Sequence, residues 1–222
     1  MFSKSKYESA RRKYAALWET SDQVLYDLCK RSPDHKNRAG VCAKLFVIGR
    51  AYATGIERQI DSKRTQGRSM EQLNNCIWKN RVAVDKILKK LKFVSEPLDE
   101  NKLEIIVQAH GQLLQIVKKI VRPSETPRSF VSKYLHFHCP AVPIIDQFAD
   151  AALRRKWPLE KRYKIFPLPK GADTNYGSFL FRFWQLYQQA PKPQKSGSVK
   201  LLDIYLLALA REQRIYKRIE VV

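Results

Sequence analysis

The sequence predicts an all-α protein. Nearly every segment repeats its apolar residues at intervals of three or four, and no stretch alternates apolar and polar residues for long enough to form a strand. With 222 residues, 44% of them hydrophobic, the chain can bury one sizeable core. The expectation is a multi-helix fold of roughly nine helices, with no boundary that divides residues 1–222 into independent domains.

Tyr7 to Trp18 reads as a basic helix with Tyr7, Ala10, Tyr14, Leu17 and Trp18 inward. Ser21 caps a short helix through Val24, Leu25 and Leu28, and Arg31 to Asn37 is a polar loop. In Arg38 to Ile60 the residues Val41, Leu45, Ile48, Tyr52, Ile56 and Ile60 fall on one face, which predicts one continuous amphipathic helix. Gly49 costs that helix about 1 kcal/mol relative to alanine. Arg50, Glu57 and Arg58 lie off its apolar stripe, on a solvated face.

A basic loop follows, Asp61 to Arg68, and then Ser69 and Gln72 have capping-box spacing. Met70, Leu73, Ile77, Val84, Ile87, Leu88 and Leu91 predict one long helix, with Lys79, Arg81, Lys86, Lys89 and Lys90 on its outer face. Pro97 breaks the pattern. Leu103 to Val121 is a strong helix through Ile106, Val107, His110, Leu113, Leu114, Val117 and Ile120.

Thr126 is the expected N-cap of the next helix, with Pro127 at its first position and Phe130, Tyr134, Leu135 and Phe137 on its apolar side. Pro140 ends it, and Ala141 to Ile145, which contains Pro143, should be extended and buried. Asp146 is the first charged residue after Lys133. It stands where a helix N-cap is expected, and the helix end favours a carboxylate. Gln147 to Arg155 resumes helical spacing with Phe148, Ala152 and Leu153 inward, and Arg154, Arg155 and Lys156 form a basic end.

Trp157 to Lys170 interleaves Lys161, Arg162, Lys164 and Lys170 with Trp157, Tyr163 and Phe166. That composition suits nucleic acid, where cations meet phosphates and rings stack on bases; it equally suits a loop packed over the core. Asn175 to Gln188 is an aromatic-rich helix, Pro191 to Ser198 a linker, and Val199 to Arg211 a final apolar helix that closes the core before a basic tail.

Lys and Arg number 42 against 21 acidic residues, a net charge of +21. Such an excess argues for a polyanionic partner, most simply nucleic acid. No apolar run approaches a membrane span, and the first residues lack the apolar core of a secretory signal. Cys29, Cys42, Cys76 and Cys139 are scattered, as expected of reduced thiols in the cytoplasm. The expectation is a cytoplasmic, nucleoid-associated bacterial monomer with no cofactor and no membrane partner.

Other chemistries find little support. His136 and His138 are two apart on a helix and face different sides, and no second Cys/His pair completes a metal site. Cys139 has no orienting third group, and there is no Gly-rich phosphate loop, H-E-x-x-H motif or carboxylate pair.

Residues 103 to 155 resemble the helix-hairpin-helix superfamily of base-excision DNA glycosylases. Pro143-Ile144-Ile145-Asp146-Gln147 is similar to the extended apolar link that ends in the family's catalytic aspartate. Val121 to Thr126 falls where the DNA-gripping hairpin stands, within an element spanning 119–156. The segments KLFVIGRAYATGIER and SFVSKYLHFH resemble small bacterial proteins with an 8-oxoguanine-glycosylase-like fold. The resemblance implies two helical lobes with a cleft.

It also implies cleavage of a flipped base's N-glycosidic bond, in repair or in defence against phage DNA, with Asp146 as the key carboxylate. Lys133 is the second candidate catalytic group. Arg122, Ser124, Thr126, Arg128 and Ser129, aided by Arg154, Arg155 and Lys156, would hold the duplex backbone. Two departures stand out. The hairpin has Arg-Pro-Ser-Glu-Thr where the family has Gly-x-Gly. Arg128 occupies the place of the nucleophilic lysine of lyase-competent members, and a guanidinium forms no Schiff base. Lys133 lies only 13 residues before Asp146. The competing readings are a DNA-binding protein that kept this fold without the chemistry, and a basic RNA-binding or membrane-surface protein.

Overall fold

The computed structural model describes residues 2–17, 19–61, 68–159, 168–190 and 197–212. The expectations for Trp18, for Lys161, Arg162, Tyr163, Lys164 and Phe166, for most of the 61–68 loop and the 191–198 linker, and for the basic tail lie outside these residues. So does the side chain of Leu17.

Eleven α-helices are described: α1 (Lys4–Leu17), α2 (Glu19–Arg31), α3 (Arg38–Phe46), α4 (Ile56–Gln59), α5 (Ser69–Lys79), α6 (Arg81–Leu91), α7 (Glu100–Lys118), α8 (Arg128–His138), α9 (Gln147–Lys156), α10 (Thr174–Gln189) and α11 (Ser198–Glu212). The protein is all-α, as its periodicity predicts. Among the described residues there is no strand, only one antiparallel bridge between Ile60 and Val121.

The buried apolar residues form one continuous cluster, to which all eleven described helices contribute through residues such as Val41, Ile56, Leu73, Ile106, Tyr134, Phe179 and Leu206. The chain's first and last described helices meet: α11 packs against α1 on one side and α9 on the other. Ser3 N donates to Tyr205 Oη at 3.1 Å across this junction.

Several sequence expectations change. The stretch 38–60 is not one helix. After α3 the backbone widens into a π-helical turn, Val47–Ala51, and then breaks at Tyr52–Ala53. Ala53 and Gly55 have φ of 46° and 69°, and Thr54 Oγ1 donates to the Gly49 carbonyl at 3.1 Å. Left-handed residues end a helix, so the apolar face is preserved while the rod is not. The long helix expected from Met70 to Leu91 is likewise two. Asn80 divides it, its Nδ2 donating to the Cys76 carbonyl at 2.8 Å.

The predicted caps also shift. α5 begins at Ser69, so no capping box forms there, and Val24 of α2 is exposed rather than inward. Thr126 does not cap α8: Pro127 occupies that position, with no side-chain cap, and Arg128 N bonds the Thr126 carbonyl at 2.8 Å. The cap that matters most is as expected. Asp146 starts α9, its Oδ1 accepting from Phe148 N at 2.9 Å and Ala149 N at 2.8 Å.

The hairpin between α7 and α8 is tied down from outside. Arg122 N donates to the Gln59 carbonyl at 2.9 Å and Asp61 N to the Ile120 carbonyl at 3.1 Å. The link 141–145 is buried, as predicted, but it begins as a turn, with Val142 N donating to the Cys139 carbonyl at 2.9 Å, and leaves regular structure only from Pro143. Ser132 of α8 holds it by accepting from Ile145 N at 3.1 Å, and Tyr176 of α10 by donating to the Pro143 carbonyl at 2.9 Å. These contacts set where the next residue, Asp146, emerges.

Candidate active site

A cavity of about 620 Å³ opens between α1, the start of α2, the 51–53 turn, α8, the 144–146 link and α11. Lys133 and Asp146 both line it. Much of the remaining wall is small or apolar: Ala10, Ala51, Ala53, Ile144, Ile204, Leu207 and Ala208. Charged residues, Asp22, Lys200 and Asp203 among them, make up much of the rest, so the cavity is partly apolar with several charged groups on its wall.

Lys133 is brought there by α8, whose other faces are buried. Its neighbours on that helix are locked into the core. Tyr134 is fully buried and bonds His35 Nε2 at 2.5 Å; His35 Nδ1 in turn meets Asp85 at 2.6 Å. His136 Nδ1 donates to the Val142 carbonyl at 2.8 Å, which makes its Nε2 the acceptor for Tyr26 Oη at 2.6 Å. Burial, with a smaller contribution from the Lys200 charge, pushes His136 down to about 3. A neutral histidine therefore stitches α8 to the link that carries Asp146.

Lys133 Nζ donates to the Tyr52 carbonyl at 2.9 Å, a carbonyl that the break at 52–53 frees from helical bonding. Burial lowers the pKa of this amine; the negative charges of Asp146 and Asp203 oppose the shift, and Lys200 adds to it.

Three further polar groups in the cavity were not singled out by the sequence. Asp22 is almost fully buried and accepts from Tyr14 Oη at 2.7 Å and from Tyr52 Oη. Lys200 Nζ stands 3.1 Å from Asp22 Oδ2 and 3.7 Å from Asp203 Oδ2. Asp203 is buried, and its Oδ1 has no hydrogen-bond partner among the described residues. Burial lifts Asp203 to about 6, against the opposing charges of Lys200 and Lys133, with Asp146 and Asp22 pushing it further up. A signal for Lys200 and Asp203 was present: they are charged residues in the otherwise apolar run from Val199 to Ala210. Asp22 gave none, because it stands among the polar residues Thr20, Ser21 and Gln23.

None of the eight residues expected to hold DNA lines the cavity. Ser124 is exposed, and Thr126 and Ser129 are half-buried. Arg122 is exposed but donates to the Arg58 carbonyl at 2.8 Å and to Glu125 at 3.1 Å. Arg128 makes a two-point pair with Asp173, at 2.5 and 3.2 Å, which fastens the start of α8 to the start of α10. Its guanidinium is thus already committed within the protein. Arg154 pairs at 2.7 Å with Asp150, which is half-buried. Arg155 is exposed and Lys156 half-buried. These three stand at the far end of α9, about 15 Å from Asp146 at 1.5 Å per residue.

The remaining ionisable groups are structural. Cys29, Cys76 and Cys139 are buried thiols, shifted upward by burial, and Cys42 is exposed. Among the described residues no group of three or more His, Cys, Asp or Glu is placed to hold a metal ion, and no helix is long and apolar enough to cross a membrane. No protein-family model matches the chain, and no curated protein or solved structure matches it.

Proposed function

We propose that the chain is a DNA N-glycosylase that draws a damaged or modified base out of the duplex into this cavity and hydrolyses its N-glycosidic bond. The observation that carries the reading is that Asp146 and Lys133 line one cavity, about 620 Å³ in volume, in the size range of ligand sites. A base must leave the stack before its glycosidic bond can be attacked, and a partly apolar cavity gives it somewhere to go. The net charge of +21 supplies the attraction to DNA.

In this reading Asp146 stabilises the positive charge that develops on the sugar as the bond to the base breaks. Its Oδ1 is pinned by two backbone amides, so the carboxylate needs no reorganisation during the reaction. Water then adds to the sugar carbon. Of the eight residues expected to hold DNA, the exposed Ser124 and Arg155 are the groups most available to phosphates, with Thr126 and Ser129 half-buried and Arg122 already bonded to the Arg58 carbonyl and Glu125. Excision of this kind serves either repair or defence against invading DNA.

The test is base release from duplexes carrying a broad panel of modified bases, scored by alkaline cleavage at the abasic site. Asparagine can still cap α9, so Asp146→Asn should fold normally and bind DNA as well as wild type. Excision should fall by about 100-fold or more. Wild-type release from no member of the panel would favour DNA binding without chemistry.

A second reading is favoured by Lys133 itself: a half-buried amine of lowered pKa on the cavity wall can add to the sugar carbon as a nucleophile. Borohydride trapping on abasic DNA, lost in Lys133→Ala, would establish it. Position 128 should yield no adduct.

A further inference from the structure

The reading above uses one carboxylate, and four line the cavity with different surroundings. Glu212 is engaged by Lys6. Asp22 is satisfied by two tyrosine hydroxyls and an ammonium. Asp146 has one oxygen committed to the start of α9. Of the four, Asp203 has a buried oxygen, Oδ1, that no group among the described residues engages, and the residue lines the cavity. A buried carboxyl oxygen without a partner is costly unless it carries a proton or meets a donor or acceptor supplied by a ligand.

Resting on the N-glycosylase reading, we infer that Asp203 is the general acid that protonates the departing base. As the bond between the sugar carbon and the base nitrogen breaks, its electron pair goes to the base. The proton on Asp203 passes to a ring nitrogen, so the base leaves neutral instead of as an anion. Water adds to the sugar carbon, and the proton it loses restores Asp203.

The surroundings suit an acid. Facing it are Lys200 on its own helix, Asp22 of α2, Lys133 of α8, Asp146 at the start of α9, and Tyr14 and Lys13 of α1 across the cavity. Burial outweighs the two lysines that Asp203 senses, and holds the proton to about pH 6. Asp146 Oδ1 is held by two amides at a helix start, and Asp203 Oδ1 is buried without a partner among the described residues, so the two carboxyls are placed for different roles.

The experiment compares two kinds of leaving base in single-turnover release, with wild type and Asp203→Asn. Oxidised or deaminated purines depart as anions and need the acid. An N7-methylated purine already carries the positive charge that the acid would supply. Asp203→Asn should slow release of the neutral purines by about 100-fold or more and leave the methylated purine within about twofold, which also shows that the variant is folded. Wild-type release of neutral purines should fall about tenfold per pH unit above about pH 6, while release of the methylated purine stays flat. That profile needs no variant at all.

Equal loss on both kinds of base, no loss on either, a flat profile on neutral purines, or wild-type release of only the methylated base would each overturn the assignment. Wild-type release of neither kind would instead bring down the N-glycosylase reading, and this inference with it.

Discussion

Removing Asp22 should unlock the cavity floor. In Asp22→Ala, Tyr14 and Tyr52 lose their shared acceptor, and Lys200, whose side chain is 12% exposed, keeps only Asp203 at 3.7 Å. Each hydrogen bond to a charged group is worth about 1.5–3 kcal/mol, and stripping one partner from a buried ion pair costs about 3–5 kcal/mol. The three interactions share one carboxylate, so their energies do not add; the expected loss is about 3–5 kcal/mol.

At about 2–4 °C per kcal/mol for a chain of this size, the melting temperature should fall by roughly 6–20 °C. Circular dichroism with heat and with urea at neutral pH measures it. Lys200→Met supplies the internal control. Alone it should destabilise, but in the Asp22→Ala background it should restore stability by removing the orphaned charge. A loss below about 1 kcal/mol in Asp22→Ala, or the same effect of Lys200→Met in both backgrounds, would refute the reasoning.

Three other expectations follow from the described contacts. Arg155→Ala should reduce the slope of log binding constant against log salt by about 0.9, whereas Arg128→Ala should leave it unchanged because Asp173 occupies that guanidinium; equal slopes would mean that the pair opens on DNA. Unfolding free energy should fall as pH drops below 6.5, because His110 and His136 are pushed down to about 4 and about 3 in the fold and bind protons first in the unfolded chain. Asp203, raised to about 6, and Glu96, also raised by burial, work in the opposite sense at acid pH, but burial pushes all four histidines down, His35 and His138 with the other two; urea midpoints at neutral and mildly acid pH that coincide would contradict this. Gly111→Ala places a Cβ 2.7 Å from the Gly171 carbonyl oxygen and should cost about 1–3 kcal/mol, visible as a lower melting temperature.

Local pattern carried much of the fold. The period of Leu103 to Val117 and the proline-bounded link before Asp146 correspond to α7 and to the extended segment that delivers the carboxylate. Helix continuity was harder to read, because Val41 to Ile60 keeps its apolar face across a break whose only local marks are Thr54 and Gly55. Pairing was invisible. Nothing local says that Arg128 will meet Asp173, 45 residues on, or that Lys200 will meet Asp22. Asp146 was legible because one residue after an apolar run announces itself. Asp203 left the same kind of mark, a charge within the apolar run from Val199 to Ala210, whereas Asp22 needed the tertiary fold, since it stands among polar neighbours in sequence.

The junction of α1 with α11 joins residues 202 positions apart, as in the Ser3–Tyr205 contact. Closing so long a loop is entropically unfavourable until both helices are in place, and the same two helices form one side of the cavity. Completion of the site is therefore tied to the longest-range event in folding. By mass action, any occupant that touches both helices holds the chain's most distant segments together, so that ligand affinity and resistance to unfolding become two readings of a single equilibrium.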